Sequence, residues 1–244
     1  MRSATKGKKS PLFFQQLVRF TQIILAIVVM SSGIFLFTQF DASRYFPIKT
    51  VNVYGTNRTD HQVVQDMVQP LVNHGFFTVN LEDIKDRLTQ MPWVADAFVR
   101  RLWPNAVAIT VVEREPAALW NDKALLSTTG ELFSPPQATY PAGLPHVTAP
   151  EGKQSLVLQH YNEINRLLLP LHAKITYLEL TPSLLWKVRL NSGMTLHVGH
   201  KDVLTRIDHF VKVYPKIIGD NTAKVEYVDL RYANGVAVRW KTKT

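Results

Sequence analysis

The chain has 244 residues with 28 basic and 19 acidic side chains, a formal net charge of +9, and no cysteine. The lack of cysteine excludes disulfides, thiolate nucleophiles and cysteine-ligated metals. The positive charge does not indicate nucleic-acid binding, because five of the basic residues lie within the first 19 positions and no long basic run follows them.

An uncharged apolar stretch from Phe20 to Phe40 follows this basic tail. As an α-helix it would extend about 30 Å, the thickness of the hydrocarbon core of a bilayer. Lys and Arg are retained on the cytoplasmic side, so residues 1–19 are expected inside and residues 41–244 outside. A cleaved signal is the alternative, but its apolar core is only about 7 to 15 residues long. We therefore predict a retained transmembrane helix over residues 20–40.

Residues 46–116 have the pattern of a small α+β domain. A strand ends at Gly55, a helix begins after Thr59 or Asp60 and is limited by Pro70, and a second helix begins after Asn80 and is closed by Pro92. Two strands, near 94–101 and 106–113, flank a turn at 103–105. The predicted order is β-α-α-β-β.

Residues 117–240 are predicted to be richer in strands. Short strands at 119–120 and 124–126 flank Asn121-Asp122, and a segment with prolines at 135, 136, 141, 145 and 150 is expected to hold no regular element. A helix over 154–169, strands over 175–180, 185–190 and 194–198, and a helix from about Asp202 follow.

The last hairpin is the candidate working surface. Val225–Tyr232 and Val236–Trp240 alternate around Asn234-Gly235, a strong turn signal. Because Val236–Trp240 is the last predicted strand, a partner segment could add to it by main-chain hydrogen bonding. Tyr232 and Trp240 could anchor such a partner and Arg231 could offer a charged fork, although aromatic residues on strands also serve simply for packing.

Catalytic and metal sites are not predicted. His197 and His200 are the closest histidine pair, but residues three apart on a strand point to opposite faces unless Gly199 breaks the strand. Glu113 and Glu115 could form an acid and base pair, yet exposed carboxylates of this kind usually serve solvation. No nucleophile elbow, zinc-protease, P-loop or dinucleotide motif occurs. We predict no catalytic residue, metal or cofactor.

Several motifs resemble one known family. VNVYGTNRT (51–59) and MPWVADAFVRRLWPNAVAITVVEREPAALWND (91–122) resemble the POTRA domain of the FtsQ/DivIB family of bacterial cell-division proteins. APEGK (149–153), RIDHFVKVYPKI (206–217) and YVDLRYANGVAVRW (227–240) resemble its second domain. The resemblance implies an α+β protein: a transmembrane helix, a POTRA domain over 46–116, a mostly antiparallel β domain with helices on its sheet over 117–240, and a short tail over 241–244.

The resemblance also implies a function. It implies a non-enzymatic scaffold of the division septum, with a single type II span in the inner membrane, whose β domain binds FtsB, held in a coiled coil with FtsL. The implied FtsB-binding residues are Arg231, Tyr232, Asn234, Gly235, Val236, Ala237, Val238 and Trp240. Relatives carry Asp-Ser-Gly where this chain has Ala233-Asn234-Gly235, and can carry Arg at the place of His200, so specific side-chain bonds there are not implied.

Further partners are implied for the rest of the chain. Val99 and Arg101 match POTRA positions that recruit the family to the division site, and FtsK, FtsW and FtsI are implied partners of the POTRA domain and the transmembrane helix. No small-molecule substrate or nucleic acid is implied. A POTRA-containing component of envelope transport or secretion is the alternative, although repeated POTRA units or barrel strands are not visible. An envelope hydrolase or transferase would need a catalytic constellation that the sequence does not display.

Overall fold

The computed structural model of the protein describes residues 11–38, 46–73, 75–232 and 235–242. Helix α1 extends over Pro11–Thr38, and its side chains from Arg19 to Phe35 are exposed. Gln39 and Phe40, the end of the predicted membrane span, lie outside the described residues. Among the residues that are described, no helix combines the length and the hydropathy required of a membrane span.

The first domain is built on a three-stranded sheet. Its elements are β1 (Thr50–Tyr54), α2 (His61–Val72), α3 (Leu81–Thr89), β2 (Val94–Leu102) and β3 (Ala106–Glu113), which confirms the predicted β-α-α-β-β order. β3 lies in the centre, parallel to β1 and antiparallel to β2. The apolar stripes of both helices pack on one face of this sheet, where Val64, Ile84, Leu88 and Ile109 are fully buried.

The two helices of this domain begin at the predicted caps. The Asp60 carboxylate accepts a hydrogen bond from the Gln62 backbone N–H at 2.8 Å, and the Asn80 side chain accepts one from the Glu82 N–H at 3.1 Å. Each cap satisfies one of the backbone N–H groups that the first turn leaves unpaired. Pro70 lies inside α2, which ends soon afterwards at Val72.

The second domain is built on a nine-stranded sheet. Its strands are β4 (Pro116–Trp120), β5 (Ala124–Ser127), β6 (Leu132–Phe133), β7 (His146–Thr148), β8 (Ile175–Leu180), β9 (Trp186–Leu190), β10 (Thr195–Gly199), β11 (Val225–Asp229) and β12 (Ala237–Trp240). The spatial order is β12-β11-β10-β9-β8-β7-β4-β5-β6. Most neighbours are antiparallel as predicted, but β4–β7, β7–β8 and β10–β11 are parallel. Helix α4 (Gln154–Leu168) connects the parallel neighbours β7 and β8, and α5 (Val203–Ile217) connects the parallel neighbours β10 and β11.

The prediction that the proline-rich segment holds no regular element is wrong. A 3₁₀ turn occupies Gln137–Thr139, and β7 lies inside the sheet between β4 and β8. The prolines permit this because Pro145 precedes the strand and Pro150 follows it, so no ladder donor is lost within β7. The Pro145 carbonyl even accepts the Leu119 N–H at 2.9 Å.

One apolar row fixes the register of half the large sheet. Leu178, Val188, Leu196 and Val228 are fully buried and directly opposite one another on β8, β9, β10 and β11. The row ends at Val238 of β12, which pairs with Val228 and packs against the same core. A one-residue slip would move this row to the other face, so the core holds β12 in place.

The two domains share a small core at their junction. Trp93, just before β2, is buried together with Leu125 and Phe133 of the second domain. The Trp93 ring meets the Phe133 ring edge-on at 5.3 Å, and its Nε1–H donates to Thr139 Oγ1 at 3.0 Å. The first and second domains are thus joined by a packed contact as well as by the chain.

Candidate functional site

The site begins with the position of β12. This strand ends the nine-stranded sheet and pairs on one side with β11, Asp229 lying opposite Ala237 and Val228 opposite Val238. Within the described part of the chain, no strand pairs with its other side. The main-chain groups along that side can therefore bond to an added strand, as the sequence suggested.

The side chains on the core-facing side of β12 become more exposed toward its C-terminal end. Val236 and Val238 are partly buried against the core, and Trp240 continues their series on the same face with 44% of its surface exposed. On the other face, Arg239 pairs with Glu226 at 3.4 Å, Nε to Oε2. Trp240 is therefore a partly exposed apolar side chain at the open edge, and Trp is a residue type that often anchors an interface.

The hairpin is shorter than predicted, because β11 ends at Asp229 rather than at Tyr232. The Asp229 carboxylate accepts hydrogen bonds from the Arg231 backbone N–H at 3.0 Å and from its guanidinium, with Nη2 to Oδ2 at 2.6 Å. These local bonds turn the chain away from β12. In addition, the Leu230 N–H donates to the His197 carbonyl of β10 at 2.9 Å.

This turn changes the role available to Arg231. The sequence predicted that its guanidinium would bind a partner, but in the structure the guanidinium binds the Asp229 carboxylate. This hydrogen bonding keeps the pKa of the Asp229 carboxyl below its ordinary value. Tyr232 is 62% exposed and lies in the loop rather than on the strand. Asn234 lies outside the described residues, and Gly235 and Val236 complete the loop before β12.

A groove of about 610 Å³ lies between this loop and α5. Thr205, Arg206 and His209 line it from the helix, and Leu230, Tyr232 and Val236 line it from the loop. It adjoins the open edge through Gly235 and Val236. The groove can accept a side chain of a segment that runs along β12.

Two arginines enclose the end of β10 beside the groove. Arg206 Nη1 donates to the Val198 carbonyl at 2.8 Å. Gly199 has a φ of +90°, and a Cβ there would lie 2.9 Å from Arg206 Nη1 and 3.3 Å from Arg231 Cγ. Only glycine fits between them without strain. Of the two arginines, Arg206 lines the groove together with Asp202, whereas Arg231 is paired with Asp229.

The apolar stripe of α5 leaves Arg206 outside it and so predicts a solvated side chain, whereas the structure places its guanidinium on the Val198 carbonyl. The sequence does contain a signal for this contact. Because β10 ends at Gly199 and α5 begins at Val203, the short connection brings the second turn of α5 back over the end of the strand. The register shift between His197 and Gly199 is the break that this glycine introduces. Among the described residues, no group of three or more His, Cys, Asp or Glu side chains is placed to hold a metal ion.

The two POTRA candidates lie on β2, an edge strand of the three-stranded sheet. Val99 packs against the core, and the Arg101 guanidinium donates to the carbonyls of Phe76 and Val79 at 2.8 and 2.7 Å. Both side chains thus serve the domain's own structure, and their contact with a partner stays a prediction.

Comparison with protein families connects both domains to one family. Residues 46–114 match the family model described as "POTRA domain, FtsQ-type", and residues 118–231 match the one described as "Cell division protein FtsQ/DivIB, C-terminal". The chain belongs to the FtsQ/DivIB family of cell division proteins. The resemblance stated from the sequence is thereby confirmed.

Individual relatives support this assignment over most of the chain. The cell division protein FtsQ of Coxiella burnetii is 37% identical over 221 residues, with 89% of each chain covered. The FtsQ of Burkholderia pseudomallei is 34% identical over 221 residues, covering 88% of this chain and 87% of its own. That of Shewanella oneidensis is 36% identical over 202 residues, covering 82% and 76%. A role in bacterial cell division follows from this family membership.

Proposed function

We propose that this FtsQ/DivIB family member is a non-enzymatic scaffold of the divisome that binds the FtsB/FtsL pair through the open edge of its second domain. An FtsB segment adds to β12 as a further strand. By this contact the protein links early division proteins to the late ones that control septal peptidoglycan synthesis. The observation that carries the proposal is an edge strand held in register by the core and flanked by the exposed rings of Tyr232 and Trp240.

The geometry supports each part of this binding mode. The open side of β12 supplies main-chain hydrogen bonds, Trp240 supplies apolar area, and the groove beside Tyr232 can accept a side chain. Arg206, His209 and Asp202 line this groove, so a polar side chain of the partner segment can find both donors and acceptors there.

The proposed topology is a single type II span at the division septum. The basic tail with Arg2, Lys6, Lys8, Lys9 and Arg19 stays in the cytoplasm, the uncharged run Phe20–Phe40 lies in the inner membrane, and both domains lie in the periplasm. Further contacts with FtsK, FtsW and FtsI belong to the first domain, with Val99 and Arg101 as candidates, and to the span.

Binding of the full chain in detergent to the FtsB/FtsL pair tests the proposal. Trp240→Ala and Tyr232→Ala should each weaken binding by about 30-fold, the loss expected for a hot-spot residue worth about 2 kcal/mol. Trp103→Ala is the matched control, because Trp103 is exposed on the first domain. Unchanged affinity in the two variants, with the control also unchanged, would remove the proposed surface.

A further inference from the structure

Three exposed aromatic side chains gather at one end of the first domain. Phe46, Phe77 and Trp103 have 37%, 55% and 77% of their surfaces exposed, and we call the surface that they form the aromatic end. They come from the chain that enters the domain, from the loop between α2 and α3, and from the turn between β2 and β3. None of them contributes to the edge at β12.

Hydrogen bonds and ring contacts bring the first two segments together. The Phe76 N–H donates to the Phe46 carbonyl at 2.8 Å. The Phe77 ring meets the Phe46 and Phe76 rings edge-on, each at 5.2 Å between centroids. Phe76 itself is buried, so Phe46 and Phe77 are held on a fixed base with their outer surfaces in solvent.

The turn that carries Trp103 is tied to the same end. Arg101, two residues earlier, donates to the carbonyls of Phe76 and Val79. On the other side, the Lys49 N–H donates to the Asn105 carbonyl at 2.8 Å. Trp103 therefore projects from a turn that both neighbouring segments hold.

The charge around this end is mostly positive. Lys49 and Arg100 are exposed, and the segments 46–50 and 100–106 contain no acidic residue. Glu82 and Asp83 in the first turn of α3 are the acidic side chains that follow the 75–80 loop. Exposed aromatic rings next to cationic side chains are the composition that occurs where proteins contact lipid headgroups.

The path of the chain indicates what covers this end. Helix α1 ends at Thr38, and Phe46 is eight residues further on, so the two are separated by at most about 28 Å even if the chain between them is fully extended. The exposed side chains of α1 up to Phe35 are almost all apolar or small. If α1 lies in the bilayer, the aromatic end is the part of the first domain that the chain holds nearest to it.

We propose that the aromatic end docks on the phospholipid surface of the membrane that α1 enters, with Trp103 and Phe77 inserted at the level of the headgroups. This inference rests on the membrane span in the proposed function. It adds a second attachment that sets the tilt of the first domain, and hence of the packed domain pair, above the bilayer.

Spin labels at single cysteines test the docking directly, because the chain has no cysteine of its own. The full chain would be reconstituted at a low protein-to-lipid ratio in vesicles of phosphatidylethanolamine and phosphatidylglycerol. Trp103→Cys and Phe77→Cys place labels at the aromatic end. Gln90→Cys places the control label at the C-terminal end of α3, about 13 Å along the helix axis from its first residue, Leu81. Accessibility to oxygen and to a water-soluble nickel complex reports the depth of each label.

The labels at 103 and 77 should shift toward high oxygen and low nickel accessibility, while the label at 90 should remain accessible to nickel. A label at 103 as accessible to nickel as the control would overturn the docking. Shielding from both reagents would also overturn it, because a protein contact would then cover the aromatic end.

Extraction of the same vesicles with alkaline carbonate separates this failure from a failure of the span. A chain that stays with the lipid but leaves position 103 in water contradicts the docking alone. A chain that is released contradicts the span and the docking together. FtsB/FtsL binding by the Trp103→Cys chain should equal that of the unaltered chain.

Discussion

Gly55 ends β1 with a φ of +82°, and a Cβ at this position would lie 2.2 Å from the Val111 carbonyl oxygen. Gly55→Ala must therefore move the backbone of β3 as well as strain its own. Gly143 is a matched control, since its φ is +80° and nothing beyond its own chain neighbours lies within 4 Å of its added Cβ. In denaturant unfolding, Gly143→Ala should cost about 1 kcal/mol and Gly55→Ala at least about 3 kcal/mol. Equal losses of unfolding free energy in the two variants would show that the close approach of Gly55 to the Val111 carbonyl does not affect stability.

Glu113 joins β3 to the loop before α2. Partial burial opposes its ionisation, but the backbone N–H groups of Asn57, Arg58 and Thr59 donate to the carboxylate and hold its pKa below the ordinary value. A lowered pKa in the folded state stabilises the fold fully above the unfolded pKa, and this stability is lost as the pH falls through the folded value.

Glu113→Gln should therefore lower the free energy of unfolding near neutral pH. The difference from the unaltered chain should shrink as the pH falls below the ordinary glutamate pKa of about 4.3. Urea titrations at neutral and acidic pH measure this, and Glu151→Gln in an exposed turn, expected to change stability by at most about 0.5 kcal/mol, is the control. A difference that stays constant with pH would contradict the assigned role of the charge.

Single-residue signals were predictable where the cause is local. Asp60 and Asn80 cap their helices because the bond spans two residues, and Gly55 ends a strand where the sequence placed it. The partner of Arg231 was not predictable from the hairpin pattern. Its bond to Asp229 also spans only two residues, but the alternating pattern extended the strand to Tyr232, whereas in the folded sheet β11 ends at Asp229.

At the scale of elements, the end of β11 depends on one carboxylate. Asp229 is buried and accepts bonds from the backbone and the guanidinium of Arg231. Asp229→Asn should cost about 1.5 to 3 kcal/mol in thermal or denaturant unfolding, the usual contribution of bonds to a charged group. Asp208→Asn, which breaks an exposed pair with Lys212, should cost at most about 0.5 kcal/mol. Similar small losses in both variants would show that the turn does not depend on this bond.

Helices and long strands followed from periodicity, whereas short central strands did not. The three residues of β7 are too few to show alternation, and their flanking prolines suggested a loop. The strand exists because β4 and β8 supply partners on both sides. The parallel pairing of β10 with β11 likewise depends on the crossover of α5, which a local pattern does not encode.

At the scale of the whole molecule, Trp93 couples the two domains. Its ring is buried against Phe133, and Arg58 lies over it at 5.1 Å. Trp93→Ala should lower the free energy of unfolding by about 3 to 5 kcal/mol, as for other buried aromatic truncations, and should separate one calorimetric transition into two. The exposed Trp103→Ala is the matched control and should leave the transition unchanged in detergent. A single unshifted transition in Trp93→Ala would mean that the junction does not couple the domains.

The family and the two-domain order were predictable from motifs, but the working geometry was not. The edge position of β12 was expected because it is the last strand, and the nine-stranded sheet confirms it. The groove beside it forms between α5 and the loop at 230–236. These two segments are separated in the chain by β11, so the groove appears only once the sheet is assembled.

Hydrogen–deuterium exchange of the full chain, with and without the FtsB/FtsL pair, tests the central claim that β12 accepts an added strand. Addition of a strand should slow amide exchange in residues 237–240, because their outward N–H groups gain acceptors. The edge strand β2 of the first domain provides an internal comparison in the same experiment. Binding with exchange in 237–240 unchanged would contradict the account, because the partner would then occupy another surface.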